Sequence, residues 1–240
     1  MPNPYFQFKQ FTIHQDKCAM KVCTDACILG AWFAGKSFSP KNILDIGSGT
    51  GLLMLMLAQK HNGNIQGIEI DLASLGQLKE NIANSGWRQR LVIHKGDIRT
   101  FTPDIKFDFI ISNPPFYENN LETESAAKNI ARHSKQLTLE DLLKAIDRNL
   151  TNRGSFGLLL PHGRLNYFEK IAAEKGFHLV ERLLLRQSPS HNYFRGILHF
   201  AREEEKKIAE RELTIQDQTG EYTREFIKLL KDYYLYLHQD

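Results

Sequence analysis

Asn42-Ile43-Leu44-Asp45-Ile46-Gly47-Ser48-Gly49-Thr50-Gly51-Leu52 joins a short apolar run to a turn with glycine at every second position, then to a helix-forming stretch reaching Gln59. The run reads as a buried strand, and the glycines as a strand-to-helix turn whose small residues let backbone amides approach a ligand. Such a unit belongs to a parallel sheet, because parallel neighbours need a helical crossover. The rhythm continues outward. Ile65 to Glu69 is the next strand, Leu72 to Ser85 a helix closed by Gly86, and Leu91 to His94 and Phe107 to Ile111 are further strands. After a polar stretch from Tyr117 to Gln136, Thr138 caps a helix that runs to Asn149, with Asp141 completing the acidic capping pattern. Ser155 to Leu160, Leu179 to Arg186 and Phe194 to Phe200 complete seven strands, with a helix from Leu165 to Lys175 between the first two of these. The pattern predicts an α/β fold with a doubly wound, seven-stranded, mostly parallel sheet.

Bulk properties narrow the setting. A chain of 240 residues that is 42% hydrophobic and 25% charged is long enough for one main domain with appendages. No window approaches the roughly 18 consecutive apolar residues of a membrane span, and Met1 to Tyr5 lacks an export signal, so a cytoplasmic protein without a membrane partner is expected. Cys18, Cys23 and Cys27 are an odd number crowded together, which is not a disulfide framework. With His14 they lack a paired Cys-x-x-Cys spacing, so no metal is expected. A formal charge of +3 permits a nucleic-acid partner without requiring one. The run Arg202 to Arg211 reads as a solvated connection or a strand-edge extension. Tyr222 to Leu237 carries Phe226, Leu229, Leu230, Tyr233, Tyr234 and Leu237 at helical spacing, predicting a terminal helix packed on the sheet.

Charge placement around the glycine turn identifies its ligand. Dinucleotide-binding turns want a third small residue where this chain has Leu52, and Asp45 would repel a pyrophosphate. An aspartate there instead suits a cationic amino group. Gly47, Gly49 and Gly51 form the cradle. Glu69, some 20 residues on at the next strand end, is placed to accept both hydroxyls of a ribose. Asp97, after the third strand, is placed to accept from the exocyclic amine of an adenine, with Ile98 against the ring face. Acids at three successive strand ends make S-adenosylmethionine the favoured cofactor.

Ser112-Asn113-Pro114-Pro115-Phe116 follows the fourth strand, and its chemistry suits a planar amino group. An adenine amine is a poor nucleophile because its lone pair is delocalised into the ring. Carbonyl acceptors on Asn113 and Pro114 would take its two protons and let the nitrogen pyramidalise. Proline rings stiffen the loop, and Phe116 or Tyr117 can stack on the base. Asn113 therefore faces acceptor and cofactor alike. Arg132 and His133, on the polar stretch, and Arg195, beside Tyr193 and Phe194, are candidate RNA contacts. His162, after Pro161, reads as a strand terminator.

With these motifs, the chain resembles the class I S-adenosylmethionine-dependent amino-methyltransferases, and more narrowly the bacterial tRNA(Val) adenine-N6-methyltransferase family. The narrower resemblance rests on Phe6 to Ile13, on Ala19 to Trp32 with its Lys21-Val22-Cys23-Thr24-Asp25 segment, on Ala131-Arg132-His133 and on Tyr222 to Phe226. It implies a Rossmann-like core over 42–201 whose last strand is antiparallel, an extension over 1–41 covering the cofactor site, and a connection and helix over 202–240. It also implies that Thr24, with Lys21 and Asp25, lines the mouth of the cofactor site. The implied substrate is the N6 atom of adenosine 37, just 3′ of the anticodon in a valine tRNA, with the monomer the favoured state. Relatives often carry glycine at the positions of Cys23 and Ala26. Two other readings fit part of the pattern. One is methylation of a release-factor glutamine, whose enzymes usually carry a longer helical domain before the glycine turn. The other is a catalytically inactive RNA-binding relic, against which the intact acids and Asn113 argue.

Overall fold

The computed structural model describes residues 3–18, 20–115, 137–204 and 207–237. The chain begins with an antiparallel pair, β1 (Tyr5–Gln7) and β2 (Thr12–His14), followed by α1 (Thr24–Ala34). The alternating region then runs β3 (Asn42–Ile46), α2 (Leu52–Ala58), β4 (Asn64–Glu69), α3 (Leu72–Ala83), β5 (Leu91–Lys95), β6 (Phe107–Ser112), α4 (Leu139–Asn149), β7 (Leu150–Pro161), α5 (Leu165–Glu174), β8 (His178–Arg186) and β9 (Arg195–Ala201). It closes with β10 (Ala209–Thr214) and α6 (Arg224–Leu230). The large sheet has the order β10-β8-β9-β7-β6-β3-β4-β5, and β9 alone runs antiparallel to its neighbours. Strand order reverses at β3 and β6, the switch point where ligands bind in open α/β sheets.

Consecutive strand residues serve opposite faces. Phe109 and Ile111 join α1, α2 and α3 in one cluster, whereas Ile110 joins α4 and α5 in the other; Leu159 and its neighbours Leu158 and Leu160 divide the same way. Helix starts follow the side chains expected to cap them. Asp71 accepts from Ser74 N at 2.7 Å to open α3, and Thr138 accepts from Asp141 N at 3.0 Å to open α4.

Two expectations need correction. The sequence predicts seven strands, the last of which, Phe194 to Phe200, is β9 and runs antiparallel as expected; the sheet has an eighth, β10, lying parallel to β8 at the edge. Ala209 to Thr214 hides its strand character because Glu210, Arg211 and Glu212 are all exposed, as an edge strand tolerates. Their charges match the partner. Glu210 lies directly opposite Arg182 and pairs with it at 2.9 Å, Glu212 lies opposite Leu184 and reaches Arg186 diagonally at 3.6 Å, and Arg211 reaches Glu181 at 3.1 Å. The terminal helix is also shorter than its apolar spacing predicts, ending at Leu230. Beyond it Tyr233 O accepts from Lys9 N at 2.8 Å, and Tyr234 bridges to Phe8, so the chain leaves the helix to pair with the N-terminal segment. Cys23 and Ala26, where relatives often carry glycine, do not occupy a turn that demands it. Cys23 is the extended residue before α1 at φ −127°, and Ala26 is already helical.

Both chain ends share the core of the sheet. Phe8, Phe11 and Ile13 from the start, and Phe226, Leu230 and Tyr233 from the end, lie in the cluster formed by α1 and α2. Polar bonds fix the N-terminal segment more sharply. Asn81, 1% exposed on α3, accepts from His14 N and donates to His14 O and to Thr50 O, each at 2.9 Å, so one amide links β2 to the glycine turn. Gln77 Oε1 accepts from Lys17 N at 3.2 Å, and Gln15 Oε1 from Val22 N at 2.8 Å. Removing Asn81 strands several buried groups at once. Asn81→Ala is expected to lower unfolding free energy by about 2–4 kcal/mol in urea titration, at about 1 kcal/mol per bond lost plus the desolvated partners. A loss below about 1 kcal/mol would mean that water replaces the amide.

Candidate active site

Asp45 lies in β3 between Leu44 and Ile46 and is completely buried. By strand alternation its side chain belongs to the α1 and α2 face, with Ile43. Neither carboxylate oxygen has a hydrogen-bond partner among the described residues. Burial first, and the nearby Glu69 carboxylate second, push the Asp45 carboxyl up to about 8. In front of it the turn is shaped to admit something. Gly47 has φ +74°, and a Cβ there would meet nothing within 4 Å. Gly51, at φ +86°, opens α2 where a Cβ would stand 2.7 Å from Leu78 Cδ1, so only glycine lets the turn close on α3. Glu69 ends β4 and holds the turn from the other side: its Oε2 accepts from Gly49 N and its Oε1 from Asp71 N, both at 2.8 Å. Each oxygen keeps a lone pair for a further donor.

Next to β3, β6 ends at Ser112, whose hydroxyl donates to Ile46 O at 2.8 Å and ties the two strand ends together. Asn113 follows at once. Its Oδ1 is shielded from solvent and has no partner among the described residues, while its Nδ2 lies 4.0 Å from Met20 Sδ. Adjacent strands are about 4.8 Å apart, so the unpaired amide oxygen and the unpaired carboxylate occupy neighbouring strand ends on one rim. Pro114 is buried and Pro115 exposed. Neither has an N–H to compete for acceptors.

The remaining expected residues divide into three groups. Asp97 stands after β5 with its carboxylate held by Arg99, at 2.9 Å from the backbone N and 2.6 Å from the guanidinium, which keeps its pKa below the usual carboxylate range. Ile98, 5% exposed, is buried with Leu44, Ile46 and Ile68. In the first turn of α1, Thr24 is exposed with its hydroxyl engaged by Tyr234. Asp25 pairs with Arg195 at 3.1 Å, so that arginine braces α1 against β9. Phe116, Tyr117, Arg132 and His133 lie outside the described residues.

Sequence reasoning missed Met20 against Asn113, and it missed Cys18, whose thiol is raised by burial and lies near Ser74, Glu69 and Asp71. Nothing in their local sequence marks them, since both reach the rim through the amide clamp on α3. Cys27 is fully buried and, like Cys23, has its thiol pushed up to about 12, chiefly by burial, so neither is a reactive thiolate. Among the described residues, no group of three or more His, Cys, Asp or Glu could hold a metal, and no helix is long and apolar enough to cross a membrane. A cleft lined by Ser39, Lys41, Lys60 and His61 opens at the amino ends of β3 and β4, the wrong edge for ligand chemistry in this fold.

The methyltransferase small domain model matches residues 31–152. A tRNA1(Val) (adenine(37)-N6)-methyltransferase of Phocaeicola vulgatus is 39% identical over 98% of this chain and 99% of its own length. Among solved structures, a predicted O-methyltransferase of Agrobacterium tumefaciens superposes with a TM-score of 0.68 at 14% identity, covering 89% of this chain and all but 1% of its own. A glycopeptide N-methyltransferase solved with S-adenosylmethionine gives a TM-score of 0.54 at 12% identity over 72% of this chain and 86% of its own. These two structural likenesses establish the class I methyltransferase fold.

The unpaired Asp45 gives the protein alone a pH dependence. Its folded-state value of about 8 stands above the ordinary 3.8, so between the two the unfolded chain releases a proton that the folded chain keeps. The stability involved is full below 3.8 and is lost as pH rises through about 8. Asp45→Asn is expected to raise Tm over the parent at about pH 8, by ~2–4 °C per kcal/mol recovered, with no gain at about pH 4. Equal melting of the two proteins at about pH 8 would mean that the carboxylate is compensated in the folded state.

Proposed function

The chain belongs to the tRNA1(Val) (adenine(37)-N6)-methyltransferase family, and we propose that it transfers a methyl group from S-adenosylmethionine to the N6 atom of adenosine 37 in a valine tRNA through the rim around Asn113. The observation that carries the assignment of roles is the solvent-shielded Oδ1 of Asn113 at the end of β6, unpaired among the described residues. A buried amide oxygen without a donor is unfavourable unless a ligand supplies one.

S-adenosylmethionine, when bound, supplies a methyl group made electrophilic by its positively charged sulfur. The chain holds that cofactor with residues already fitted to it. Asp45 offers a buried carboxylate to the ammonium group, the open face of Gly47 admits the methionine end, Glu69 takes the ribose hydroxyls and Asp97 the adenine amine. Both Asp97 oxygens already accept from Arg99, so the adenine amine shares that carboxylate with the guanidinium. Thr24 borders the mouth. On the substrate side, Asn113 Oδ1 and the Pro114 carbonyl accept the two amino protons of the target adenine, which returns lone-pair density to N6 as the nitrogen pyramidalises. Phe116 and Tyr117 supply aromatic faces for the ring. No strong base is needed, because the amino proton turns acidic only as the new bond forms; approach geometry dominates.

A loop substrate suits this rim. An anticodon-loop base is already unpaired, so drawing it into the site costs less than opening a duplex. The protein works in the cytoplasm, where tRNA is met. An inactive relic would have no reason to keep Asp45 buried without a partner, because unfavourable groups of this kind persist where function requires them.

The test is to incubate purified protein and methyl-labelled cofactor with unmodified valine tRNA and, separately, with release factor, followed by nuclease digestion. N6-methyladenosine at position 37 is expected, and label confined to protein would overturn the reading. Asn113→Ala is expected to lower kcat by at least about 100-fold, in the range seen when an aligned polar group is removed from a transition state. Its cofactor Kd, measured by calorimetry, should stay within a few-fold. Equal loss of cofactor binding would move Asn113 from the acceptor side to the cofactor side.

A further inference from the structure

Beyond Asn113 the carboxyl rim of the sheet continues across β7, β9 and β8. β7 ends at Pro161, which pairs with Arg195 at the start of the antiparallel β9, and β8 ends at Arg186. The turn after β7 and the loop before β9 are pinned together by His162 N donating to Phe194 O at 3.1 Å. At about 4.8 Å per strand, these three strand ends lie roughly 5–15 Å along the rim from the strand that carries Asn113.

Their side chains do not serve a core. His162 is exposed, and its ring lies 5.8 Å from that of Tyr193 at 33°. The Arg186 guanidinium sits 5.5 Å from the Tyr193 ring centre. Arg164, exposed in the same turn as His162, has no ion pair among the described residues and stands 5.7 Å from the Tyr167 ring. Among the described residues two acids border this group: Glu212, 3.6 Å from Arg186 and facing the Tyr193 hydroxyl, and Glu140, which accepts from the hydroxyl of Tyr167 beneath Arg164. Aromatic rings flanked by arginines on loops at the functional edge match the way single-stranded RNA is held, with bases on ring faces and phosphates on guanidinium groups.

We propose that His162 and Tyr193, with Arg164 and Arg186 beside them, form a platform on which unpaired anticodon-loop bases flanking the target adenosine stack, with Arg164 meeting a phosphate. This rests on the tRNA reading above and assigns to His162 a role in place of simple strand termination. It also separates binding from chemistry, since the four side chains stand at strand ends other than that of Asn113.

The experiment is steady-state methylation of a valine tRNA transcript by His162→Ala, Tyr193→Ala and their double variant, with melting temperature and cofactor Kd measured on each. Base stacking on an aromatic side chain is worth enough that KM for tRNA should rise about 5–100-fold, with kcat and cofactor Kd within about twofold. Tyr193→Phe and His162→Trp should restore most of the KM lost in the alanine variants, because the ring face is what binds. Arg164→Ala should reduce the dependence of log KM on log salt by about 0.7. Unchanged KM in the double variant overturns the platform while leaving the methylation reading intact. A Tyr193→Phe as weak as Tyr193→Ala overturns it too, since the hydroxyl contact with Glu212 would then be what matters. Failure of the parent protein to methylate tRNA removes both readings together.

Discussion

A carboxylate sealed inside a sheet without a donor is the constraint around which this molecule is arranged. Moving an ionised carboxylate into a protein interior costs several kcal/mol, so Asp45 keeps its proton in the protein alone. Among its described neighbours only Ser48 offsets part of that cost. Glu69 adds a second acid and spends its own oxygens on Gly49 and Asp71, which shapes the turn while leaving Asp45 alone. The rim is thus poised for a cationic, hydroxyl-bearing ligand, and the free Oδ1 of Asn113 one strand away supplies the matching demand on the substrate side.

Holding such a rim requires support from distant parts of the chain. The N-terminal segment is clamped to α3 by two amide side chains, Asn81 and Gln77, the first of which also grips Thr50 in the glycine turn. The C-terminal segment closes behind it, with Tyr233 donating its hydroxyl to Met56 O at 3.0 Å under α2. Arg195 joins α1 to β9 through Asp25. Both termini therefore act on the same turn that shapes the cofactor site, although neither carries an acid at a strand end.

The parts of the fold that were legible from the residues are those with local rules. The glycine turn, the strands around it and the caps at Asp71 and Thr138 each follow from side chains acting within a few positions. β10 was illegible because its three exposed charges look like solvated surface until Glu181, Arg182 and Arg186 of β8 reach them. The end of α6 was illegible for a related reason: Tyr233 and Tyr234 keep helical spacing, yet pairing with Lys9 and Phe8, more than 200 residues away in sequence, draws the backbone out of the helix.

The sequence by itself determined the chemistry: the acids, the glycines and Asn113-Pro114-Pro115 are side-chain and backbone types whose capabilities do not depend on neighbours. Tertiary structure alone decided which of these groups are left unpaired. Asp97 is taken up by Arg99, and Arg195 by Asp25, whereas Asp45 and Asn113 Oδ1 have no hydrogen-bond partner among the described residues. Availability is a property of packing, since a donor or acceptor is free for a ligand only if no other part of the folded chain reaches it first.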